Sequence, residues 1–569
     1  MSFRALPVVT AGLRPELFAG AGTKSVSRVL LVTALSVLVL VGLGFRLKAL
    51  SSEGLSDDEL NKLNAVSEYR TQGLTGANGE HPLLMKALLT VSVIVAEKWN
   101  QTSLVSGHPD LNLPVESSVR IPGALFGALT SVLIFLVASE LFGLEVGLIS
   151  AALWAFDPLA IGFNRIAKED TFLIFFFMLA IFFWLRGQRV AESQPERNPE
   201  RFYWATAAAF GAMLASKYVP MMIAIPVGYN YAFQRVPTTR WVIGKKRFLK
   251  FFFVMGVVFL ICNPTIVLPE TWQAMSNFTS GRSMGHDSYE FMGGLYPHRF
   301  QDWLHGEPWY FYFVLIFTKL PVLTLAGFPL GLGLLFRQRS GDGRYFLLLW
   351  LALWALSYML PGGKFTRYLT SILPAIIMTA AIGVQFTARR LGRFFARVFK
   401  NESLKVYPRS ALASLVIISA FWSSLTAAPH YRLYVSSLGG GPAQAGLYFP
   451  QDEFYDAYMR DVMVELARRA RPNARVANET SPLAAYYAQR ANRSDLVCVD
   501  LSDPAELDKL SPGDFLIDAR GRTYLSNQEM LMRLRQSNQP AFTVAVGTTP
   551  AASVYVLDQK SLDALRGTR

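Results

Sequence analysis

Cysteine and charged side chains are both scarce in this chain. Only two cysteines occur in 569 residues, Cys262 in an apolar run and Cys498 in the C-terminal region. Because they are not closely spaced, neither a zinc knuckle nor a disulfide framework is supported. Charged residues make up 17% of the chain and hydrophobic residues 52%, with a mean hydropathy of +0.28. This balance argues against an ordinary soluble protein of several domains.

Two sequence patterns are also missing. No glycine-rich phosphate loop opens a helix in the C-terminal region, which argues against a nucleotide site there. No internal repeat occurs in the apolar region, which weakens the case for a transporter built from repeated halves. A cleavable signal sequence is not convincing either, because the first apolar run, residues 29–49, is long enough to remain as an anchor.

The chain instead contains a series of apolar runs of about 17–25 residues, the length that crosses a bilayer. Its formal net charge is +14, and the lysines and arginines concentrate in short loops between these runs. The positive-inside rule explains that distribution without nucleic acid as a partner, since no basic and aromatic surface lies elsewhere. We therefore expect a polytopic α-helical membrane protein.

The basic loops predict the topology. Residues 235–250 and 389–409 are strongly basic and are expected on the cytoplasmic side. Runs 120–141 and 144–162 are expected to form a pair of spans. The number of crossings then agrees with the cytoplasmic position of the basic loops only if residues 82–98 do not cross the membrane. We therefore expect them to lie on the outer face as an interfacial helix. The total is about eleven spans with the C-terminal region outside.

The predicted domains follow from this count and from a change in character near Tyr431. Run 308–336 is too long for one span and is expected to divide into an interfacial helix and a span. Beyond Tyr431 charge rises, residues 452–471 have helical spacing, and short strand-like runs predict a small α/β domain with a partly parallel sheet. The expected parts are a cytoplasmic tail over residues 1–28, a transmembrane domain over 29–430 and an extracytoplasmic domain over 431–569.

Unusual polar residues collect on the predicted outer face. The stretch from Ser56 to Lys86 holds adjacent carboxylates, Asp58 and Glu59, just after the first apolar run. Charged loop residues are usually solvated, and cations near helix ends usually reach toward head groups. A collection on one face is harder to explain in that way, because it offers a base for an acceptor and cations for an anionic lipid head group. The residues are Asp57, Asp58, Glu59, Glu80, His81, Lys86, Arg165, Lys168, Glu169, Asp170, Lys217, His286, Asp287, His298, His305, Glu307, Lys364 and Arg367.

The order of several short motifs resembles one family. Asp58-Glu59 matches its acidic motif after the first span, and HPLLMK resembles its His-Pro-Pro-Leu-x-Lys motif, with Leu83 in place of the second proline. Arg120-Ile-Pro, Asp170 in RIAKED, SKY, EPWYFY followed by Lys319, and RYLTSILP also look familiar. Over about residues 28–430 the chain is similar to GT-C-fold glycosyltransferases of the protein O-mannosyltransferase and aminoarabinose-transferase superfamily.

This resemblance implies transfer of a mannose-like sugar from a polyprenyl-phosphate donor, with inversion, on the outer face of a bacterial or archaeal plasma membrane. By motif match, Asp58 is the general base, and Glu59 and Asp170 orient the acceptor or support the site. Lys86, Lys217, Lys319 and Arg367 are candidates for the lipid phosphate. Further substrate contacts are expected from His81, Arg120 and His286. A divalent metal stays open, because Asp170, Glu59 and His286 could ligate one but no fixed-spacing motif supports it.

The acceptor is the least determined partner. The first hypothesis is a protein hydroxyl, and the alternative is a lipid or a cell-envelope glycan. The chain lacks the trefoil repeats of the eukaryotic relatives that it resembles, and its C-terminal α/β domain occupies a different place, which puts a protein acceptor in doubt. A lipid or ion transporter is a different class and would need ionisable groups near mid-membrane, whereas most of those here lie at outer ends. A scaffold for envelope assembly, with inert outer charges, is a third alternative.

Overall fold

The structure is a computed structural model that describes residues 28–193, 196–233, 245–280, 287–337 and 343–567. Helices dominate the first three quarters of the chain and alternate with strands in the last quarter. The helices are α1 (Arg28–Leu47), α2 (Asp57–Gln72), α3 (Leu83–Asn100), α4 (Ser103–Gly107), α5 (Val115–Phe142), α6 (Leu144–Ala155), α7 (Pro158–Asn164), α8 (Asp170–Ser193), α9 (Glu200–Leu214), α10 (Ala224–Phe233), α11 (Lys245–Cys262), α12 (Pro269–Thr279), α13 (Phe311–Lys319), α14 (Val322–Leu335), α15 (Gly343–Tyr358), α16 (Leu373–Val398), α17 (Val406–Ala427), α18 (Pro450–Phe454), α19 (Met459–Arg469), α20 (Ser481–Arg490), α21 (Pro504–Leu507), α22 (Gln528–Ser537) and α23 (Gln559–Arg566).

The strands form two sheets. A hairpin pairs β1 (Ser288–Phe291) with β2 (Gly294–Pro297). The second sheet has the order β4-β3-β5-β7-β6, and β3 runs parallel to β4 and β5 while β7 runs antiparallel to β5 and β6. This confirms the predicted strands and the partly parallel sheet. Its members are β3 (Arg475–Asn478), β4 (Val497–Asp500), β5 (Phe515–Ala519), β6 (Phe542–Val546) and β7 (Thr549–Val556).

Some helices have the length and composition of membrane spans. Within the described ranges, α1, α5, α8 and α17 are long and apolar enough to cross a membrane, and α6 with α7 forms a fifth candidate that bends by 60°. The total of about eleven spans therefore stays a prediction. The apolar residues 202–233 divide into α9 and α10, and the expected division of 308–336 is confirmed at Leu320-Pro321, between α13 and α14.

The predicted span over residues 144–162 is bent. The first helix ends at Ala155, and a new one begins at Pro158. Proline has no backbone N–H, and this is tolerated in the first turn of a helix because an N–H there would have no partner within the helix. Asp157 caps the second helix by accepting a hydrogen bond from the Ala160 N–H at 2.8 Å. Arg46 donates to the Trp154 and Ala155 carbonyls, which would otherwise lack partners at the end of α6. The bend is therefore stabilised from both sides.

Small residues allow the closest helix packing in the structure. Gly327 and Gly331 lie one turn apart on α14 and face Gly383 on α16. A Cβ at Gly331 would lie 1.8 Å from the Thr379 carbonyl oxygen, and one at Gly383 would lie 2.1 Å from the Gly327 carbonyl oxygen. The two backbones touch directly, as in other membrane helix pairs that use small residues four apart.

The five-stranded sheet packs against the first outer segment of the chain. One face shares an apolar core with α2, α3, α19 and α20, in which Leu60, Leu89 and Val462 are buried. The other face packs against α22 and α23. Because the core with α2 is continuous, the sheet holds the N-terminal end of α2 in place.

The predicted helix over 452–471 is interrupted, which corrects the periodicity argument. It divides into α18 and α19, and the connecting residues Tyr455 and Asp456 both have positive φ, +49° and +58°. Side chains other than glycine rarely adopt this conformation, so the turn requires support from its surroundings.

Candidate active site

Four segments converge around the Asp58 carboxylate. They are the start of α2, the loop from Arg165 to Asp170, the 3₁₀ turn Thr366–Ser371, and the turn at Tyr455 and Asp456. Local sequence explains the first, because Ser56 and Glu59 form a capping box that starts α2. Asp58 is the second residue of this helix, so its side chain leaves the first turn toward the other three segments.

Asp58 is held through one of its two oxygens. Oδ2 lies 2.7 Å from the Lys168 ammonium and accepts a hydrogen bond from the Tyr455 hydroxyl, also at 2.7 Å. The described residues donate no hydrogen bond to Oδ1, and the side chain is 35% exposed. One carboxylate oxygen is therefore fixed while the other is accessible.

Cations keep this carboxylate ionised. Burial alone would raise the pKa of Asp58, but Lys168, Arg367 and Lys62 together hold it well below its ordinary value. Burial lowers the pKa of Lys168 to about 8, even though Asp58 acts in the opposite direction. Asp58 therefore carries its charge at neutral pH, and Lys168 becomes neutral in mildly alkaline solution.

Asp57 has a different environment from its neighbour. Its backbone N–H donates to Asp456 Oδ2 at 3.2 Å. Burial, with Asp456 and Asp58 nearby, raises the pKa of Asp57 to about 6 although Arg522 opposes the change. The two adjacent carboxylates thus differ in their charge partners, and Asp58 alone pairs with the Lys168 ammonium.

The strained turn that carries Tyr455 is clamped by an arginine. Arg522 donates to both carboxylate oxygens of Asp456, at 2.9 and 2.5 Å. A bidentate pair of this kind fixes direction as well as position. The clamp therefore holds Asp456, and with it the adjacent Tyr455 hydroxyl, against the N-terminal end of α2.

Alternating charges surround this centre. Lys62 lies 3.1 Å from Glu169 Oε1, and the His81 ring lies 3.6 Å from the same oxygen. Burial holds the pKa of His81 well below its ordinary value, so the ring is neutral at pH 7. Lys217 lies 2.7 Å from Asp170 Oδ1. Electrostatic interactions connect these groups, since His81 interacts with Asp58 and Lys217 interacts with Glu169.

Arg367 is the least restrained of the predicted phosphate ligands. Its guanidinium lies 3.8 Å from the Phe365 ring centroid and 3.6 Å from Asp452 Oδ1. The side chain is 14% exposed, and it acts electrostatically on Asp58. Because its ion pair with Asp452 is long, the guanidinium can turn toward an anionic ligand with little loss of electrostatic energy.

Glu59 and Arg120 form a buried support instead of a reactive pair. Arg120 donates to both Glu59 oxygens, at 2.8 and 2.6 Å, and its remaining N–H groups go to the carbonyls of Leu50, Glu53 and Gly54. Glu59 also accepts from the backbone N–H of Ala167. The predicted substrate contact of Arg120 is therefore corrected, since all its donors are used to join α2, α5 and the chain before α2.

Two predicted phosphate ligands are likewise occupied. Lys86 Nζ donates to the carbonyls of Ala77, Asn78 and His81 at 2.7–3.0 Å, which uses all three ammonium protons. Lys319 donates to the Arg432 carbonyl at 3.0 Å and pairs with Glu453 at 2.8 Å, and it is 2% exposed. Both lysines brace the fold here, which corrects their assignment to the lipid phosphate.

The remaining predictions concern His286 and a metal. His286 lies outside the described residues. Among the described ranges, no group of three or more His, Cys, Asp or Glu side chains is arranged to hold a metal ion. Of the residues proposed as ligands, Glu59 is bonded to Arg120 and Asp170 to Lys217.

Sequence reasoning missed Lys62 and Tyr455 as neighbours of Asp58. Lys62 had a signal, because it lies four residues after Asp58 and so shares its face of α2. Tyr455 lies almost 400 residues away in the chain and had no such signal. Its role depends on the packing of the five-stranded sheet against α2.

Comparisons with known proteins agree with this architecture. Residues 111–267 match the family model described as dolichyl-phosphate-mannose-protein mannosyltransferase. The apo structure of ArnT from Cupriavidus metallidurans is 12% identical, with a TM-score of 0.50 over 95% of this chain and 99% of that one. The same protein bound to undecaprenyl phosphate is 14% identical, with a TM-score of 0.48 over 93% and 98%.

A second solved structure shares the fold. The apo oligosaccharyltransferase of Archaeoglobus fulgidus is 11% identical, with a TM-score of 0.50 over 87% of this chain and 70% of that one. No curated protein sequence matches the chain. The resemblance to the GT-C-fold glycosyltransferase superfamily is confirmed, and at these identities the structural matches show the fold.

Proposed function

We propose that this chain is a glycosyltransferase that moves a sugar from a polyprenyl-phosphate donor to an acceptor hydroxyl, with inversion at the anomeric carbon. The observation that carries the proposal is the state of Asp58. Its carboxylate is ionised, fixed through Oδ2 and open at Oδ1. That arrangement suits a group that removes a proton from an approaching hydroxyl.

The proton transfer follows from this geometry. Asp58 Oδ1 accepts the acceptor's hydroxyl proton while the hydroxyl oxygen forms a bond to the sugar's anomeric carbon, and the bond from that carbon to the donor's phosphate oxygen breaks, so that the polyprenyl phosphate leaves with the electron pair. A well-placed general base accelerates such a step by about 10²–10⁴-fold. Lys168 and Tyr455 hold the carboxylate in one orientation, so little reorganisation is needed at the moment of reaction.

The departing lipid phosphate needs cations. Arg367 and Lys168 both act on Asp58, and the Arg367 guanidinium stacks on the Phe365 ring with a long ion pair to Asp452. Charge that develops on the phosphate is stabilised by such preorganised cations. The description of the family model, a dolichyl-phosphate-mannose-dependent transferase, supports a polyprenyl-phosphate donor and a mannose-like sugar.

The acceptor has two candidates. The family description favours a protein hydroxyl. A lipid or cell-envelope glycan is the alternative acceptor, and the C-terminal region reaches Asp58 through Tyr455 in either case. In both cases we place the site on the outer face of a bacterial or archaeal plasma membrane.

Transfer can be tested with membranes containing the chain and a polyprenyl-phosphate donor labelled in its sugar. Appearance of label in protein is the expected result, and appearance in a lipid or glycan fraction would support the alternative acceptor. If label remains entirely in the donor, or only changes leaflet, the transferase proposal fails and a transporter or scaffold is favoured.

A further inference from the structure

A cavity that does not include Asp58 lies between the β1–β2 hairpin and the five-stranded sheet. Its volume is about 450 Å³, and its walls come from the hairpin, α22 and the end of β5. This volume is within the range of about 300–1,000 Å³ that is typical of small-molecule sites. The cavity is therefore large enough for a ligand that the reaction at Asp58 does not account for.

Polar side chains form the floor of this cavity in a row across three strands. Asp518 on β5 is paired with Ser553 on β7, which is paired with Thr543 on β6. Directly opposed residues of neighbouring strands point to the same face of a sheet. All three line the cavity, so three polar groups stand side by side on one surface.

The charges of the lining are balanced. Arg535 donates to both oxygens of Asp518 at 2.8 Å, which neutralises that pair. Arg520 donates to the Gly446 carbonyl at 2.5 Å, and Glu290 accepts from the Gly521 N–H at 3.3 Å. Two cations and two carboxylates therefore line the cavity, which favours neither an anionic nor a cationic ligand.

The uncharged lining groups retain their hydrogen-bonding capacity. In the described part of the chain, the side chains of Thr543, Ser553 and Gln528 make no hydrogen bond to another residue, although they face the cavity. Hydroxyl and amide groups can each donate and accept. A ligand with many hydroxyl groups offers both functions in return, which an apolar molecule does not.

We propose that this cavity binds a neutral carbohydrate. Tyr555, also in the lining, adds an aromatic side chain to the hydroxyl row. The Arg520 guanidinium, which lines the cavity, also lies 5.4 Å from the Phe454 ring centroid. Carbohydrate binding at this position does not depend on transfer at Asp58 and can be measured without a donor.

The test uses the full chain in lipid nanodiscs and isothermal titration calorimetry. The probes are neutral hexasaccharides of mannose, glucose, galactose and arabinose, with inorganic phosphate and a Ser/Thr-rich peptide for comparison. We expect at least one hexasaccharide to bind. The double variant Thr543→Val with Ser553→Ala is expected to weaken that binding by at least about fivefold, from two lost hydrogen bonds.

Thr548→Val is the matched control, since Thr548 is exposed in the turn after β6 and does not line the cavity. It is expected to bind like the unmodified chain, and unfolding midpoints of all variants show that they fold. Binding of phosphate or peptide alone, of no probe, or of a hexasaccharide with equal affinity to the double variant would each overturn the proposal.

Discussion

Lys168 is expected to set the pH range in which the site works. Its ammonium lies 2.7 Å from Asp58 Oδ2, and burial lowers its pKa to about 8. A lysine with a lowered pKa is charged below that value and becomes neutral as pH rises through it. If Lys168 must be charged to hold Asp58 and to stabilise the phosphate, kcat/KM for sugar transfer will decline above about pH 8.

Lys168→Met removes the charge while keeping most of the side-chain volume. Loss of one preorganised electrostatic contact typically costs about 10²–10³-fold in rate. Lys168 is the largest of the charges that lower the pKa of Asp58, so that pKa should rise in the variant.

The assay is the pH dependence of kcat/KM for transfer from a labelled donor. We expect the alkaline decline near pH 8 to vanish in Lys168→Met, and the acid decline to move to higher pH. Because the pKa of Asp57 is raised to about 6, both chains should carry Asp57→Asn so that this group cannot produce the acid decline.

The refuting result is specific. An alkaline decline that persists unchanged in Lys168→Met would show that another group titrates there. A rate at pH 7 equal to that of the unmodified chain would remove Lys168 from the site altogether.

Three further substitutions separate positioning from support. Tyr455→Phe removes a charge-assisted hydrogen bond of about 1.5–3 kcal/mol and should lower kcat about 10–100-fold, with donor affinity in calorimetry unchanged; a matching loss of affinity would contradict this. Arg120→Met leaves Glu59 buried and unpaired, so unfolding should show about 3–5 kcal/mol of destabilisation, and an unchanged stability would contradict the supporting role. Lys86→Met should leave donor affinity within about twofold, because carbonyls hold its ammonium; a large loss would return Lys86 to the donor site.

Sequence predicted those parts of the fold that depend on local patterns. Alternating short runs predicted the strands of the C-terminal sheet, and Pro321 marked the division between α13 and α14. The bend at Asp157 was missed because its stabilising contacts come from Arg46, more than 100 residues away. The positive φ of Tyr455 was missed for a similar reason, since Arg522 supports the turn.

The site was predictable in the residues that it uses but less so in their roles. Motif order led to Asp58 and Arg367, which the structure places in electrostatic contact. A lysine's availability for a ligand, however, depends on its partners in space. The carbonyls around Lys86 come from the turn before α3, and Lys319 reaches Glu453 in the C-terminal region. Sequence alone does not show that either ammonium is already occupied.

The central claim is that Asp58 accepts the acceptor's proton. Asp58→Asn keeps the shape of the side chain and removes the charge, while Asp57→Asn makes the same change one residue away. The most direct measurement is single-turnover transfer beside equilibrium donor binding for both variants. We predict a loss of about 10²–10⁴-fold in transfer for Asp58→Asn with donor affinity largely retained, and much smaller losses for Asp57→Asn. Near-normal transfer by Asp58→Asn would contradict the account.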